Sequence, residues 1–504
     1  MNPRWEQLRR ELSSPLPHPD PTALREMCDR VADWIVHDFA TLPEQPIGQS
    51  ASRADLEALL REPPPEVGSD FVKVFAEFQR NVVPHACRIH HPRFLAFIPS
   101  GVNFVSVLAD FLCSATNFFT AVWLEAAAPS QVELIVLDWF KQFLHYPPEA
   151  GGILTSGGSE ANLTALTVAR ERLRDEDRPR AVLYVSQERH WSIDRAAKII
   201  GLRPDQVRPV VTDEQFRLKP AALREAVEAD RHAGRLPWAV VANAGATNTG
   251  AVDPLCDVAE LCSAHELWLH VDAAYGWSAV LVPDEKPALS GIHRADSITL
   301  DPHKWFGQPY EVGCVLIRDG RRLVQTFLLR PEYMQDVEPT ADELNFADRG
   351  PALTRRFRAL KIWLSAKVFE IGWFRALVAR GCRLAEFAQG LLEQSPRFEI
   401  LSRRQLSIVC FRYVPAHFRA EHEEAQQTLD RLNLALVDRV RASGRAFLSS
   451  TRLHGRVAVR LCFVNWRTTA EDVEEVVRLV EEVGEQVAEE MARAPHESRN
   501  RTGC

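Results

Sequence analysis

The segment Thr299-Leu-Asp-Pro-His-Lys-Trp305 sets Lys304 just after a short apolar run, Ser297-Ile-Thr-Leu300, that reads as a buried strand. In an open α/β sheet, ligands bind outside the carboxyl ends of the strands, so this lysine is expected to face a crevice. An amine taken out of water gives up its charge readily and becomes a nucleophile toward a carbonyl carbon, although alone it reads more readily as a surface lysine at a strand end. A second run, Leu267-Trp-Leu-His-Val271, ends in Asp272-Ala-Ala-Tyr-Gly276. A carboxylate among small residues at the end of a core strand is costly unless it meets a cation. The third signal is Leu154-Thr-Ser-Gly-Gly-Ser-Glu-Ala161, a Gly/Ser loop that enters a helical pattern reaching about Leu173. Ser159 can cap that helix, and the free N–H groups of its first turn can hold an anion at the positive end of the helix dipole.

An amine for an aldehyde, a carboxylate for a pyridinium nitrogen and a cradle for a phosphate are the three requirements of pyridoxal phosphate. The loop is neither a Walker loop, since no Gly-Lys-Ser/Thr follows, nor a Gly-x-Ser-x-Gly nucleophile elbow. His85, Cys87, His90 and His91 are bunched, but no carboxylate or second cysteine pair completes a zinc shell, so no metal site is expected.

The elements that must carry these residues are legible as pattern. Ala181-Val-Leu-Tyr-Val-Ser186, Trp238-Ala-Val-Val-Ala242, Leu267–Val271, Ser297–Leu300 and Gly313-Cys-Val-Leu-Ile317 are near-continuous apolar runs spaced by helical segments, the signature of a mostly parallel sheet covered on both faces. Residues 1–90 carry helical patches (Thr22 to Leu42, Arg53 to Arg61, Phe71 to Arg80) between proline-bearing breaks, and offer too little core to stand alone. Beyond residue 364 the strands alternate (Ser407–Tyr413, Val457–Phe463), and a last helix from Thr469 to about Arg493 sets valines on one side and glutamates on the other. The expected organisation is an N-terminal helical segment (1–90), a large α/β domain (91–364), a small α+β domain (365–493) and a disordered tail (494–504).

The chain has 504 residues, is 46% hydrophobic and carries a formal charge of −8, with no dominant basic patch, which argues against nucleic acid as a partner. No run of eighteen uncharged apolar residues occurs, so no membrane span is expected. The beginning lacks a secretory apolar stretch, and ten scattered cysteines, mostly in apolar segments, suit reduced thiols; a cytoplasmic location is expected.

Taken together, these pieces resemble the group II pyridoxal-phosphate-dependent amino-acid decarboxylases, whose best-known members act on aromatic L-amino acids. The resemblance runs from His91-Pro-Arg-Phe through Gly-Gly-Ser-Glu-Ala, His190-Trp-Ser, His-Val-Asp-Ala-Ala-Tyr and Asp-Pro-His-Lys-Trp to Arg355-Arg-Phe-Arg-Ala-Leu-Lys-Ile-Trp363. It implies fold type I of the pyridoxal-phosphate-dependent transferases and a carboxy-lyase that turns an L-amino acid into an amine and CO2 through an external aldimine and a quinonoid. By position, Lys304 matches the Schiff-base lysine, Asp272 the partner of the ring nitrogen and His190 an imidazole stacked on the ring. Gly158 and Ser159 match the phosphate loop, Thr247 a strand end near Asp272, and His303 a residue lining the site. Phe97, Ser100, Phe118, Phe119 and Thr354 match the substrate pocket. Tyr333, in a polar stretch read as a lid, matches the tyrosine that protonates Cα; aldehyde synthases of the family tend to carry phenylalanine there. The resemblance further implies a homodimer with shared active sites and the N-terminal segment wrapped over the partner. Two departures stand out: Asp301, where the animal enzymes have Asn, and Thr354, where aromatic decarboxylases usually carry Gly or Ser. An aldehyde synthase, or a catalytically inactive regulatory homologue, is the alternative.

Overall fold

The computed structural model describes residues 2–99, 101–329, 331–340, 342–416 and 423–493. It divides into two compact units, 1–88 and 89–504. The first holds helices Pro3–Glu11, Pro21–Thr41, Arg53–Leu60 and Phe71–Glu77. Trp34 meets Phe75 and Phe78 edge-on at 5.9 and 5.8 Å, yet Leu42 and Ile47 are the only apolar side chains of the described part of this unit that are buried. Its proline-bearing breaks leave short helices with no shared interior.

The second unit is built on two sheets. Seven strands, β1 (Gly151–Thr155), β2 (Ala181–Ser186), β3 (Val207–Val210), β4 (Leu236–Asn243), β5 (Trp268–Asp272), β6 (Ser297–Leu300) and β7 (Gly313–Ile317), lie in the order β1-β7-β6-β5-β4-β2-β3. The pairs β6/β5, β5/β4, β4/β2 and β2/β3 are parallel, whereas β7 runs antiparallel to both its neighbours. Every residue of β2, β5, β6 and β7 is buried, as apolar runs covered by helices on both faces require. Register aligns the strand ends: Asn243 of β4 is opposite Asp272 of β5, and Asp272 is opposite Thr299 of β6. The chain therefore leaves these strands on one edge, where its loops converge.

The smaller sheet comprises β8 (Phe398–Gln405), β9 (Ile408–Tyr413), β10 (Ser449–Leu453) and β11 (Arg456–Cys462), all antiparallel in the order β10-β11-β9-β8. The last helix, Ala470–Arg493, buries Val473, Val476, Val477, Val480, Val483 and Val487 in the core of this sheet. The boundary expected at 364/365 falls inside the helix Ala359–Gln394, which packs on helices Phe104–Thr116 and Trp123–Leu144 at one end and on β8 and β9 at the other; its helical geometry breaks at Glu370. The tail 494–504 lies outside the described residues. Among the described residues no helix is long and apolar enough to cross a membrane.

Candidate functional site

A cavity of about 330 Å³ opens at the carboxyl ends of β4, β5 and β6. Lys304, Asp272, His190, Gly158, Ser159, Thr247 and His303 all line it, although they come from five separate segments of the chain. Each arrives by a simple local device. After β6 the chain folds into a tight turn, with Lys304 N–H donating to the Asp301 carbonyl at 2.9 Å, which sets the lysine back over the sheet edge. Asp272 is the last residue of β5, and its Oδ1 accepts the Ala274 N–H at 3.1 Å. His190 caps the helix Trp191–Ile199, its Nδ1 accepting the Ser192 N–H at 3.2 Å.

The helix Gly158–Arg170 starts at the cavity wall, with Gly157 rather than Ser159 at the cap. Its glycines are required by close approach. A Cβ at Gly158 would lie 2.8 Å from Asp301 Oδ2, and one at Gly313 would lie 2.5 Å from the Gly157 backbone. Glu160 folds back to accept Ser156 N–H and Oγ–H at 2.7 and 2.6 Å, which pins the loop at the helix start, where the first-turn amides have no partner within the helix.

The electrostatics separate the titrating groups. Burial holds the His190 imidazole below its ordinary value, so the ring is neutral at pH 7. His303 is pushed down to about 3, first by burial and then by Lys304; its Nδ1 accepts the Val312 N–H at 3.1 Å. Asp301 is the residue that sequence reasoning set aside as a departure. It is 2% exposed, its Oδ2 is 3.2 Å from Lys304 Nζ, and burial raises its carboxyl to about 6 against the pull of that ammonium. Asn162, Ser192, Asn243 and Tyr275 also line the cavity and were missed, since an amide, hydroxyl or phenol inside an ordinary apolar pattern carries no local signal.

Among the described residues, Phe97, Phe118, Phe119 and Thr354 do not line this cavity. Phe97 and Phe118 are 57% and 45% exposed, Phe119 is half-buried and Thr354 is exposed. Ser100 lies outside the described residues, and so does the side chain of Tyr333, whose backbone sits in a short 3-10 turn, Glu332–Val337. Arg93, in the His91-Pro-Arg-Phe segment, is engaged by Asp472 at 3.1 Å.

Pyridoxal phosphate fits the donor set. Two buried polar atoms on lining residues, Asn243 Nδ2 and Asp301 Oδ1, have no hydrogen-bond partner among the described residues, as expected of a pocket built to receive a polar ligand. An amine, a carboxylate 7% exposed and a helix start free of side-chain bulk converge on the same space.

Comparison with known proteins gives the same answer. The model of the pyridoxal-dependent decarboxylase conserved domain matches residues 54–414, and that of the PDXDC1-like second central domain matches 391–492. An aromatic-L-amino-acid decarboxylase of Bacillus atrophaeus is 41% identical over 92% of this chain and 96% of its own. A phenylacetaldehyde synthase of Arabidopsis thaliana is 28% identical over 92% and 96%. The crystal structure of Oryza sativa TDC with PLP and tryptamine superposes with a TM-score of 0.88 at 28% identity, covering 94% of this chain and 99% of that one. With the fold, the cavity and a family match over most of its length in agreement, this chain belongs to the pyridoxal-dependent decarboxylases and is a pyridoxal-phosphate-dependent enzyme of that family.

Proposed function

We propose that the chain releases CO2 from an aromatic L-amino acid and leaves the amine, with Lys304, Asp272 and His190 as the working groups. The observation that carries this reading is the meeting of those three side chains with the Gly158–Ser159 helix start in one cavity, in a chain 41% identical to an aromatic-L-amino-acid decarboxylase. Bound pyridoxal phosphate supplies the electron sink that makes loss of CO2 from Cα possible. Lys304 Nζ would hold the cofactor covalently, Asp272 would keep its ring nitrogen protonated, and His190 would pack against its ring. Amides at Gly158 and Ser159 would bind its phosphate, and Thr247 and His303 close the walls of the cavity. Tyr333 returns the proton to Cα from a hydroxyl that phenylalanine lacks. A panel of L-amino acids assayed for CO2 and amine tests the reading: turnover confined to tyrosine, tryptophan, phenylalanine or their hydroxylated forms supports it, and preference for glutamate or cysteine sulfinate refutes it.

A second reading, the aldehyde synthase, draws on the similarity to the phenylacetaldehyde synthase. Tyr333 weighs against it, and peroxide release during turnover in air separates the two.

The working form is proposed to be a homodimer in the cytoplasm. Large apolar side chains stand in water on the second unit of a single chain, among them Phe97, Phe111, Phe118, Leu124 and Leu353. Covering them with a second copy would turn exposed aromatic surface into a substrate wall and give the poorly cored N-terminal unit a surface to bury against. Six fully buried cysteines (113, 262, 314, 382, 410, 462) suit a reducing compartment. A monomer with full activity at nanomolar concentration would refute the shared site.

A further inference from the structure

Asn162 sits on the helix Gly158–Arg170, is 1% exposed, and makes three side-chain hydrogen bonds of 2.9 Å. Its Nδ2 reaches Asp272 Oδ2 and Ser192 Oγ, and its Oδ1 meets His270 Nε2. The direction of every bond in this group follows from donor chemistry. The Asp272 carboxylate can only accept, so Asn162 turns Nδ2 to it and Oδ1 to His270 Nε2, which must donate; the other nitrogen of the neutral ring, Nδ1, accepts from Ser297 Oγ at 2.9 Å, and that hydroxyl in turn accepts from Trp268 Nε1 at 2.8 Å. An accepting Nδ1 leaves the His270 proton on Nε2, aimed at Asn162 Oδ1. The amide is then held in one orientation, with both hydrogens of Nδ2 committed: one to Asp272 and one to Ser192. Ser192, receiving there, donates to His190 Nδ1 at 2.8 Å, where the Ser192 N–H also converges. His270 and Ser297 are 0% exposed, so water does not compete for these bonds.

We propose that Asn162 and His270 are positioning residues: one amide, fixed in a single orientation by His270, anchors Oδ2 of Asp272 and keeps the proton of His190 on Nε2. The two groups proposed to act on the cofactor ring are thereby set from one point in the cavity wall. Without the amide donor Asp272 loses the hydrogen bond that anchors Oδ2. Without His270 the amide can flip and present an oxygen to the carboxylate, a repulsive contact in a buried setting.

The inference rests on Asp272 acting at the ring nitrogen, so the pyridoxal-phosphate-loaded enzyme is tested first with Asp272→Asn. If that variant keeps the parent rate, the ring-nitrogen role and this proposal fall together. Next come Asn162→Leu, His270→Gln, His270→Leu and Ser297→Ala, with thermal melting as the check on folding. Two quantities are read: the kcat against KM split, and the pH midpoint of the bound cofactor's visible absorbance. Asn162→Leu is expected to lower kcat by about fiftyfold or more with KM within about threefold, and to move the absorbance midpoint. Placed on Asp272→Asn it should add less than about threefold, because both changes remove the same effect. His270→Gln, whose amide can donate to Asn162 Oδ1, should stay within about fivefold of the parent, whereas His270→Leu should resemble Asn162→Leu. If Asn162→Leu does not fold, Ser297→Ala, which touches neither the cavity nor Asn162, decides by whether the midpoint moves in the direction seen for His270→Leu. A fixed midpoint in all of these variants, or losses that multiply fully in the double variant, overturns the proposal.

Discussion

Lys304 Nζ lies 3.2 Å from Oδ2 of Asp301, three residues earlier on the same turn, so the reactive lysine brings its own counter-ion. That carboxylate is nearly sealed from water, and its second oxygen has no donor among the described residues. Burial raises its carboxyl to about 6, above the value of about 4 in an unfolded chain. The folded state therefore binds the proton more tightly; the stability this brings is complete below about pH 4 and is lost as pH rises through about 6. In the cofactor-free protein Asp301→Asn should raise the melting temperature at pH 8, by a difference approaching ~3 kcal/mol, and the gain should vanish near pH 4. A gain that does not change with pH would mean that Asp301 is not the titrating group.

Lys304→Ala should abolish turnover and the visible absorbance of the purified protein, because its role is covalent. The variant should still fold, but at neutral pH it should be less stable than Lys304→Ala combined with Asp301→Asn, since alanine strands a buried carboxylate. Retained steady-state CO2 release would assign the covalent role to another lysine.

Asp272→Asn should keep the cofactor bound through Lys304 and the helix start, yet slow turnover by about a thousandfold or more, the typical cost of removing a charge aligned with developing charge. A loss below about tenfold in kcat, measured at saturating substrate, would remove Asp272 from the ring nitrogen.

How far the sequence reached depends on the kind of signal. β2, β4, β5, β6 and β7 were legible because each is a short run of buried apolar residues. β1 reads as part of a glycine loop and β3, Val207–Val210, is half polar and contains Pro209, so neither had a pattern to find. Lys304, Asp272 and the Gly/Ser loop could be read because each breaks the expectation for its place: a charge at the end of a core strand, or glycines at a helix start. Asn162 and His270 could not, because a polar residue inside an apolar pattern declares itself only when its buried partners are known. The exposed Phe97, Phe118 and Thr354 mark the other limit, for side chains on an exposed surface leave no periodicity to read.

Acid should unfold this protein partly through its buried imidazoles. His270 and His303 are held down to about 4 and about 3, chiefly by burial, against about 6.5 when unfolded. Their folded values are depressed, so the stability they allow is present above about pH 6.5 and is lost as pH falls and the unfolded chain takes up protons first. The Asp301 carboxyl opposes this between about pH 6 and 4. His270→Gln should remove one proton from the balance, reducing the slope of unfolding free energy against pH by ~1.4 kcal/mol per unit between about pH 6 and 4.5. Urea titrations at pH 4.5, 5.2 and 6 would measure it, and an unchanged slope would show that His270 is protonated in the folded protein.

Tyr333 stands between the two readings of the reaction. It lies in the turn Glu332–Val337, within a polar, acidic segment that lacks the periodicity of a core element. Segments of this length without regular structure often serve as lids, and a lid can bring a hydroxyl to Cα only after substrate has entered. Once CO2 has left, Cα must receive a proton before oxygen reaches it; a phenol can give one and a phenyl ring cannot. Tyr333→Phe should therefore divert product from amine to aldehyde with ammonia and peroxide in air, while under nitrogen it should lose amine formation by about a hundredfold, the typical contribution of a positioned general acid. Protease cleavage between residues 331 and 340 should slow when an unreactive substrate analogue is bound, which reports closure independently of chemistry. Amine formed at the parent rate without peroxide would exclude Tyr333 as the donor, and the preference for decarboxylation over aldehyde synthesis would then have to rest on the substrate panel alone.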